Sequence, residues 1–242
     1  MEIKKKYVEI LKQQIEKAYD IQHEKIVEIS NMFGQCMSNF GVVQLFGIDH
    51  DEEFVNELNY RAGGIAPFHA LKIKDLTLRG GVKVADVESG RIYLPENVAK
   101  TADALMGLYE LDDRDMYVLV STKGNDPLVL ELAKRVKANN QKLVAVVNKA
   151  SYDACGGTLL DYADIWLDMC SPEPDVALDL AGVKVGQTSS TVANVIAQML
   201  TAETYRYFIE KEGKAPVLFS ANIKGADVHN NALTDPYGRR VR

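Results

Sequence analysis

Apolar side chains recur at steps of three to five residues along the first forty positions. They are Tyr7, Leu11, Ile15, Ala18, Ile21, Ile26, Ile29, Phe33 and Met37. This spacing is close to the 3.6-residue period of an amphipathic helix, and no proline interrupts it. Asn39 and Gly41 then supply a stop signal. The pattern predicts one long N-terminal helix, and we expect part of its surface to pack against a second subunit.

Short apolar runs alternate with helical patterns through the rest of the chain. The apolar runs predict strands at 42–46, 116–120, 143–147 and 163–167. Helical spacing predicts helices at 52–60, 96–110, 128–138 and from 188 or 189 to about 212. Glycines at 63 and 64 are expected to cap the first of these helices, whereas 70–93 shows no clear pattern apart from a loop at 79–81. Alternating strands and helices are typical of a parallel sheet covered on both faces.

Composition and charge narrow the possible functions. With 47% hydrophobic and 26% charged residues, the 242-residue chain has the composition of a soluble globular protein. A net charge of −6 disfavours nucleic-acid binding, which needs a basic surface. The basic C-terminal end, Arg239, Arg240 and Arg242, is expected to be a solvated tail.

The sequence lacks the signals that mark several classes of protein. No apolar run approaches the ~20 residues that span a bilayer, and the N-terminus lacks the apolar core of a secretory signal. We therefore expect a cytoplasmic protein with no membrane partner. The three cysteines and four histidines are widely spaced, which gives no disulfide framework and no zinc motif. No cofactor or metal is expected.

Candidate chemistry lies at three turns that flank predicted strands and helices, at 47–51, 121–125 and 186–191. Ligands of open parallel sheets bind beyond the carboxyl ends of the strands. The second and third turns combine hydroxyls, and Lys123 in one case, with the free N–H groups of a helix N-terminus, which can bind an anion. Each turn also has a simpler explanation as a helix cap or a solvated loop. Neither matches a nucleotide-binding glycine motif.

Four segments together resemble a known family. They are Leu45-Phe46-Gly47 followed by His50, residues 60–67 (YRAGGIAP), residues 185–193 (VGQTSSTVA), and residues 217–222 (VLFSAN) with Gly225 and Asp227. In order and spacing the chain resembles the sugar isomerase (SIS) domain, and more narrowly the SIS-domain proteins labelled phosphoheptose isomerases. The resemblance implies a three-layer α/β fold with a five-stranded parallel sheet of flavodoxin-like type. We expect a single SIS-like domain over 1–242, with a helical extension at 1–40, an α/β core at 41–215 and a tail at 216–242.

The same resemblance implies a phosphorylated sugar as ligand. It favours a sugar-phosphate isomerase of carbohydrate metabolism, working as a homodimer or homotetramer with its site near the subunit interface. Two alternatives remain open, a noncatalytic sugar-phosphate sensor or scaffold and a sugar-phosphate etherase or lyase. The candidate substrate-binding residues are Gly47, Asp51, Ser121, Thr122, Lys123, Gly124, Thr188, Ser189, Ser190 and Thr191.

Two positions depart from the family's phosphate-binding turns. The family's first turn typically reads Gly-Thr-Gly-His-Ser and its second Ser-Asn-Ser-Gly, so Asp51 and Lys123 replace two hydroxyls. A carboxylate repels phosphate unless a cation lies between them. Lys123 could be that cation, or it could pair with Asp51 directly. The site could also take a neutral or amino-containing sugar, or no longer bind one.

Glu57 and His50 are the candidate catalytic residues. Aldose–ketose isomerisation moves a proton between adjacent carbons, which needs a base and an acid of suitable pKa. Glu57 is the candidate base because the resembled proteins also carry a glutamate in the helix after the first strand. It could equally be a surface carboxylate. His50 could act as acid or base or stabilise its turn, and His229 could reach a site only if the tail folds back.

Overall fold

Five parallel strands form the central sheet of the structure, a computed structural model that describes residues 2–241. The strands are β1 (Val43–Phe46), β2 (Phe68–Ala70), β3 (Met116–Val120), β4 (Leu143–Val147) and β5 (Ile165–Asp168). Their order is β2-β1-β3-β4-β5, so the direction of the chain across the sheet reverses at β1. A crevice forms at such a reversal, beyond the carboxyl ends of the strands.

Helices cover both faces of this sheet. They are α1 (Ile3–Ser38), α2 (Glu52–Leu58), α3 (Ile73–Leu78), α4 (Val84–Glu88), α5 (Val98–Met106), α6 (Pro127–Ala138), α7 (Lys149–Cys155), α8 (Ser189–Glu212) and α9 (Ala226–Thr234). Single 3-10 turns lie at Asp49–Asp51, Arg91–Tyr93 and Leu159–Asp161, and a longer 3-10 segment at Asp235–Val241. A small antiparallel hairpin, β6 (Leu178–Leu180) and β7 (Val183–Val185), precedes α8. No helix within residues 2–241 is both long and apolar enough to cross a membrane.

Alternate side chains of each strand enter two separate cores. Val118 and Val120 pack with α1, α2 and α8, whereas Tyr117 and Leu119 pack with α5 and α6. Strands buried on both faces read as continuous apolar runs, which is why the sequence predicts four of the five. The three-layer α/β fold with a five-stranded parallel sheet is thereby confirmed.

The long N-terminal helix is also confirmed, and α8 covers its inner face. The Ser30 hydroxyl donates to the Leu200 carbonyl at 3.3 Å. Gly34 lies so close to Tyr207 that an added Cβ would stand 2.1 Å from its ring. Ser30 contacts Leu200 and, one turn later, Gly34 contacts Tyr207, so the two helices run in the same direction. The contact of α1 with a second subunit stays a prediction.

The region after α2 differs from the prediction. The helix ends at Leu58, because Asn59 is extended and Tyr60 has a left-handed φ of 42°. The Asn59 side chain instead accepts a hydrogen bond from the Ala70 N–H at 3.0 Å. The predicted glycine cap is therefore wrong. Strand β2 was not predicted, since only three residues form it and His69 stands in its centre.

The C-terminal residues fold back onto the segment that follows α2. The Gly63 N–H donates to the Leu218 carbonyl at 2.8 Å, and the Leu218 N–H donates to the Gly64 carbonyl at 2.9 Å. Two of the segments that carry the family resemblance therefore lie side by side. His229 stacks on Phe219 with 3.7 Å between ring centres, and its Nε2 lies 2.9 Å from the Val217 carbonyl oxygen.

The expectation of a solvated basic tail is wrong for Arg240. Its side chain is only 12% exposed and pairs with Asp115, whose side chain is fully buried. Its other terminal nitrogen donates to the Phe40 carbonyl at 2.9 Å. Arg239 is exposed, as expected, and Arg242 lies outside the described residues. The pair with Asp115 fastens the end of the chain to the start of β3.

Candidate functional site

The three predicted turns meet in one cleft at the carboxyl ends of β1 and β3. The cleft has a volume of about 470 Å³. Five of the predicted site residues line it, namely His50, Asp51, Thr122, Lys123 and Ser189. Gly47, Ser121, Gly124, Thr188, Ser190 and Thr191 belong to the same turns but do not form its wall. The order reversal at β1 thus brings together side chains more than sixty positions apart in the chain.

The carboxylate of Asp51, in the first turn, contacts the second turn at 121–125. Gly47 is required here, because a Cβ would lie 2.7 Å from the carbonyl oxygen of Asp51. Asp51 accepts hydrogen bonds from the Thr122 N–H at 2.8 Å and the Thr122 hydroxyl at 2.6 Å. Burial raises the pKa of Asp51 above its usual value, and the two bonds from Thr122 oppose that rise. His50 is exposed at the mouth of the cleft.

The second turn holds another internal carboxylate. The buried Ser121 hydroxyl donates to Asp126 and accepts from the Gly124 N–H at 2.9 Å. Asp126 is the N-cap residue of α6, but its side chain makes no bond to the helix N–H groups. Gly124 has a φ of 66°, and a Cβ there would lie 2.3 Å from the Tyr152 ring. Ser121 and Gly124 therefore shape the turn from beneath.

Lys123 projects from this turn into the cleft wall as an exposed side chain. It has no ion-pair partner in the part of the chain that the structure describes, including Asp51. The predicted alternative in which Lys123 pairs directly with Asp51 is therefore not the arrangement in this structure. Its ammonium group remains available to a ligand.

The third turn, at the start of α8, meets a carboxylate that sequence reasoning missed. Asp175 accepts from the Thr188 N–H and hydroxyl, both at 3.1 Å, and from the Ser189 N–H at 3.3 Å. The Thr188 hydroxyl also lies 3.0 Å from the hydroxyl of Ser171. Asp175 thus occupies the first N–H groups at the start of a 24-residue helix, the place predicted for a bound anion.

Carboxylates therefore dominate the cleft. Five line it, namely Asp49, Asp51, Asp126, Glu173 and Asp175. Glu173 accepts a hydrogen bond from the Ser151 hydroxyl. Four of the five accept hydrogen bonds from hydroxyl or N–H groups. The turns therefore have the donors of anion sites, and carboxylates of the same chain occupy those donors. No motif or periodic pattern in the sequence indicated that residues 173–175 belong to the site.

Tyr93 is a further residue near the cleft that the sequence did not indicate. Burial, and then the charges of Asp49 and Asp126, raise the pKa of Tyr93 to about 12. It comes from the region 70–93, where the sequence shows no clear pattern. Its phenol therefore stays protonated at neutral pH and can donate a hydrogen bond.

Glu57 lies outside the wall of the cleft. Its carboxylate accepts from the Gln198 side chain at 2.6 Å and pairs with Arg61 one turn further along the chain. This group sits between α2 and α8, with 24% of the Glu57 side chain exposed. The structure thus places His50 in the wall of the cleft and Glu57 outside that wall. Across residues 2–241, no three His, Cys, Asp or Glu side chains converge on a possible metal position.

A family model describes more than half of the chain. The SIS domain model matches residues 6–148. The chain belongs to the SIS-domain family. A UPF0309 protein of Caldanaerobacter subterraneus subsp. tengcongensis is 32% identical over 98% of both chains. A UPF0309 protein of Listeria monocytogenes is 30% identical over 91% of both chains.

Solved structures of two phosphoheptose isomerases share the fold. A phosphoheptose isomerase from Francisella tularensis aligns with a TM-score of 0.56 and 14% identity, covering 82% of this chain and 94% of its own. A phosphoheptose isomerase from Neisseria gonorrhoeae aligns with a TM-score of 0.50 and 15% identity, covering 81% of this chain and 92% of its own. Identities this low establish the common fold alone.

Proposed function

We propose that this SIS protein binds a phosphorylated sugar in the cleft and isomerises it between aldose and ketose forms. The observation that carries the proposal is the convergence of the three turns, with the N-terminus of α8, on one cleft at the sheet's order reversal. The names of its structural relatives, phosphoheptose isomerases, favour the same chemistry. We expect a cytoplasmic homodimer or homotetramer.

Phosphate binding in this cleft requires an exchange of partners. The N–H groups of Thr122, Thr188 and Ser189 are the natural phosphate donors, and they now bond to Asp51 and Asp175. A phosphate would take over part of these bonds, while the carboxylates turn away or take up a proton. Lys123 supplies the positive charge that offsets the remaining repulsion.

Glu57 is proposed as the base that moves the proton and His50 as a second acid or base. Gln198 and Arg61 hold the Glu57 carboxylate in one orientation. Because Glu57 stands outside the cleft wall of a single chain, we propose that a second subunit completes the site there.

The first test is a thermal-shift panel of sugar phosphates, their unphosphorylated forms and inorganic phosphate. A ligand at about 100 times its dissociation constant stabilises by about 2.7 kcal/mol, which raises the midpoint by roughly 5–11 °C. Turnover of the best ligand is then measured for Glu57→Gln, where we expect a loss of about 10²-fold or more. Glu53→Gln, an exposed carboxylate on the same helix, is the matched control and should keep its activity.

A noncatalytic sugar-phosphate sensor is the second candidate. The occupied donors and the hydrogen-bonded, ion-paired Glu57 favour it. Binding without turnover, unchanged by Glu57→Gln, would support the sensor over the enzyme. If no phosphorylated compound shifts the midpoint, both phosphosugar proposals are wrong.

A further inference from the structure

A second cavity, of about 420 Å³, lies beside the edge strand β2 and shares no lining residue with the cleft. His69 of β2 forms part of its wall and is only 7% exposed. The other polar residues of the wall are Asn59, Tyr60, Lys72, Lys74 and Asp75. This volume falls in the range of small-molecule sites. No role in the proposed isomerisation involves this cavity.

A chain of buried hydrogen bonds determines which nitrogen of His69 carries the proton. Asp115 accepts from Gln44 Nε2 at 2.9 Å, which turns the amide oxygen of Gln44 towards His69. That oxygen lies 2.8 Å from His69 Nδ1. Because an amide oxygen can only accept, Nδ1 is the protonated nitrogen and Nε2 carries the lone pair.

Nε2 of His69 has no hydrogen-bond partner among residues 2–241. Nε2 is not fully buried, so a hydrogen-bond donor that enters the cavity can reach it. Burial lowers the pKa of His69 to about 4, so the ring is neutral at pH 7 and can accept. The ring is also held in place by Tyr109, whose ring centre lies 5.1 Å away at a near-perpendicular angle.

The charges around the cavity favour an anion. Lys72 lies 3.6 Å from Glu52, whereas Lys74 has no ion-pair partner in the described chain. Asp75, the one carboxylate in the wall, accepts a hydrogen bond from the Tyr109 hydroxyl at 2.8 Å. Lys74 thus adds an unpaired positive charge to this wall, whereas the cleft combines Lys123 with five carboxylates.

We propose that this cavity binds a small hydroxylated carboxylate of the sugar-acid type. A ligand hydroxyl donates to His69 Nε2, and the ligand carboxylate lies against Lys74 and Lys72. The Asn59 amide, whose oxygen is already used by the Ala70 N–H, offers a further donor to the ligand. The site is independent of the cleft and does not rest on the proposed isomerase activity.

D-gluconate is the probe, titrated calorimetrically into the full chain and its variants. His69→Asn retains a side-chain N–H for Gln44 and removes the open acceptor, so we expect gluconate to bind at least fivefold more weakly. Lys74→Gln should weaken it about two- to fivefold. Lys123→Gln, in the cleft, should leave gluconate binding unchanged. Sorbitol, which has the hydroxyls but no carboxylate, should bind at least fivefold more weakly than gluconate.

Nitrogen NMR of histidine-labelled wild-type protein supplies a readout that does not depend on the stability of a variant. Adding gluconate should move the Nε2 resonance of His69 and leave its Nδ1 resonance nearly unchanged. The proposal is wrong if gluconate fails to bind at about 10 mM, well above the dissociation constant of a weak millimolar site. It is equally wrong if gluconate binds without moving Nε2, or binds a folded His69→Asn variant as tightly as the wild type.

Discussion

Replacing Arg240 by alanine should destabilise the protein far more than the same change at Arg239. Arg240 pairs with Asp115, whose side chain is fully buried, so its loss leaves a buried carboxylate without its cation. Breaking such a pair costs about 3–5 kcal/mol. Asp115 keeps the donors of Val42 at 2.8 Å and Gln44 at 2.9 Å, which places the effect at the lower end, about 3 kcal/mol. For a chain of this size the melting midpoint should fall by about 6–12 °C.

The assay is urea unfolding followed by circular dichroism, together with a thermal melt. Arg239→Ala is the matched control because the Arg239 side chain is 85% exposed and lies 3.7 Å from Glu110. An exposed pair of this kind contributes less than about 1 kcal/mol. Since the Arg240 pair is shielded from solvent, its effect should also persist at high salt. A fall of less than about 2 °C for Arg240→Ala, or equal effects for the two arginines, would refute the reasoning.

Three further predictions concern the cleft, a buried histidine and the main helix pair. Asp51→Asn removes the negative charge that faces the N–H and hydroxyl donors of Thr122. The affinity for a sugar phosphate, measured by calorimetry, should therefore rise about tenfold. An unchanged or lower affinity would contradict phosphate binding at these donors. Folding lowers the pKa of His69 from 6.5 to about 4. Between pH 6.5 and 4 the unfolded chain therefore binds a proton at His69 that the folded protein does not bind. The unfolding free energy should fall by up to about 3 kcal/mol as the pH drops through this range. That part of the acid sensitivity should be missing in His69→Asn, and parallel pH curves for the two proteins would contradict it. Gly34→Val forces side-chain atoms into the Tyr207 ring and should cost about 1–3 kcal/mol or more in urea unfolding, whereas a neutral effect would mean that α1 and α8 separate freely.

Much of the fold follows from local patterns. The helix α1 and the strands β1, β3, β4 and β5 were predicted, because their apolar periodicity is strong and unbroken. β2 escaped prediction, since a three-residue strand with a central histidine has no periodicity to detect. The end of α2 was misplaced for a related reason. Asn59 leaves the helix because its side chain bonds to Ala70, a partner that only the folded sheet edge provides.

The candidate site was predicted in part. The three turns and their donors were identified from residue type and position, and the cleft brings them together. The carboxylates that hold those donors were not identified, apart from Asp51. Asp175 lies 13 positions before Thr188, in a segment with no periodic pattern and no motif. The separation of Glu57 from the cleft wall likewise depends on how α2 packs against α8.

Local sequence patterns predicted the long helix, four of the five sheet strands and the donors at the three turns of this SIS protein, because these depend on groups close together in the chain. Which acceptor each donor meets is set by the folded arrangement of those elements. Thr122 meets Asp51 across 71 positions, His69 meets Gln44 across 25, and Arg240 meets Asp115 across 125. Such partners are chosen by packing, since a buried polar group must be satisfied by whichever group the fold brings within reach.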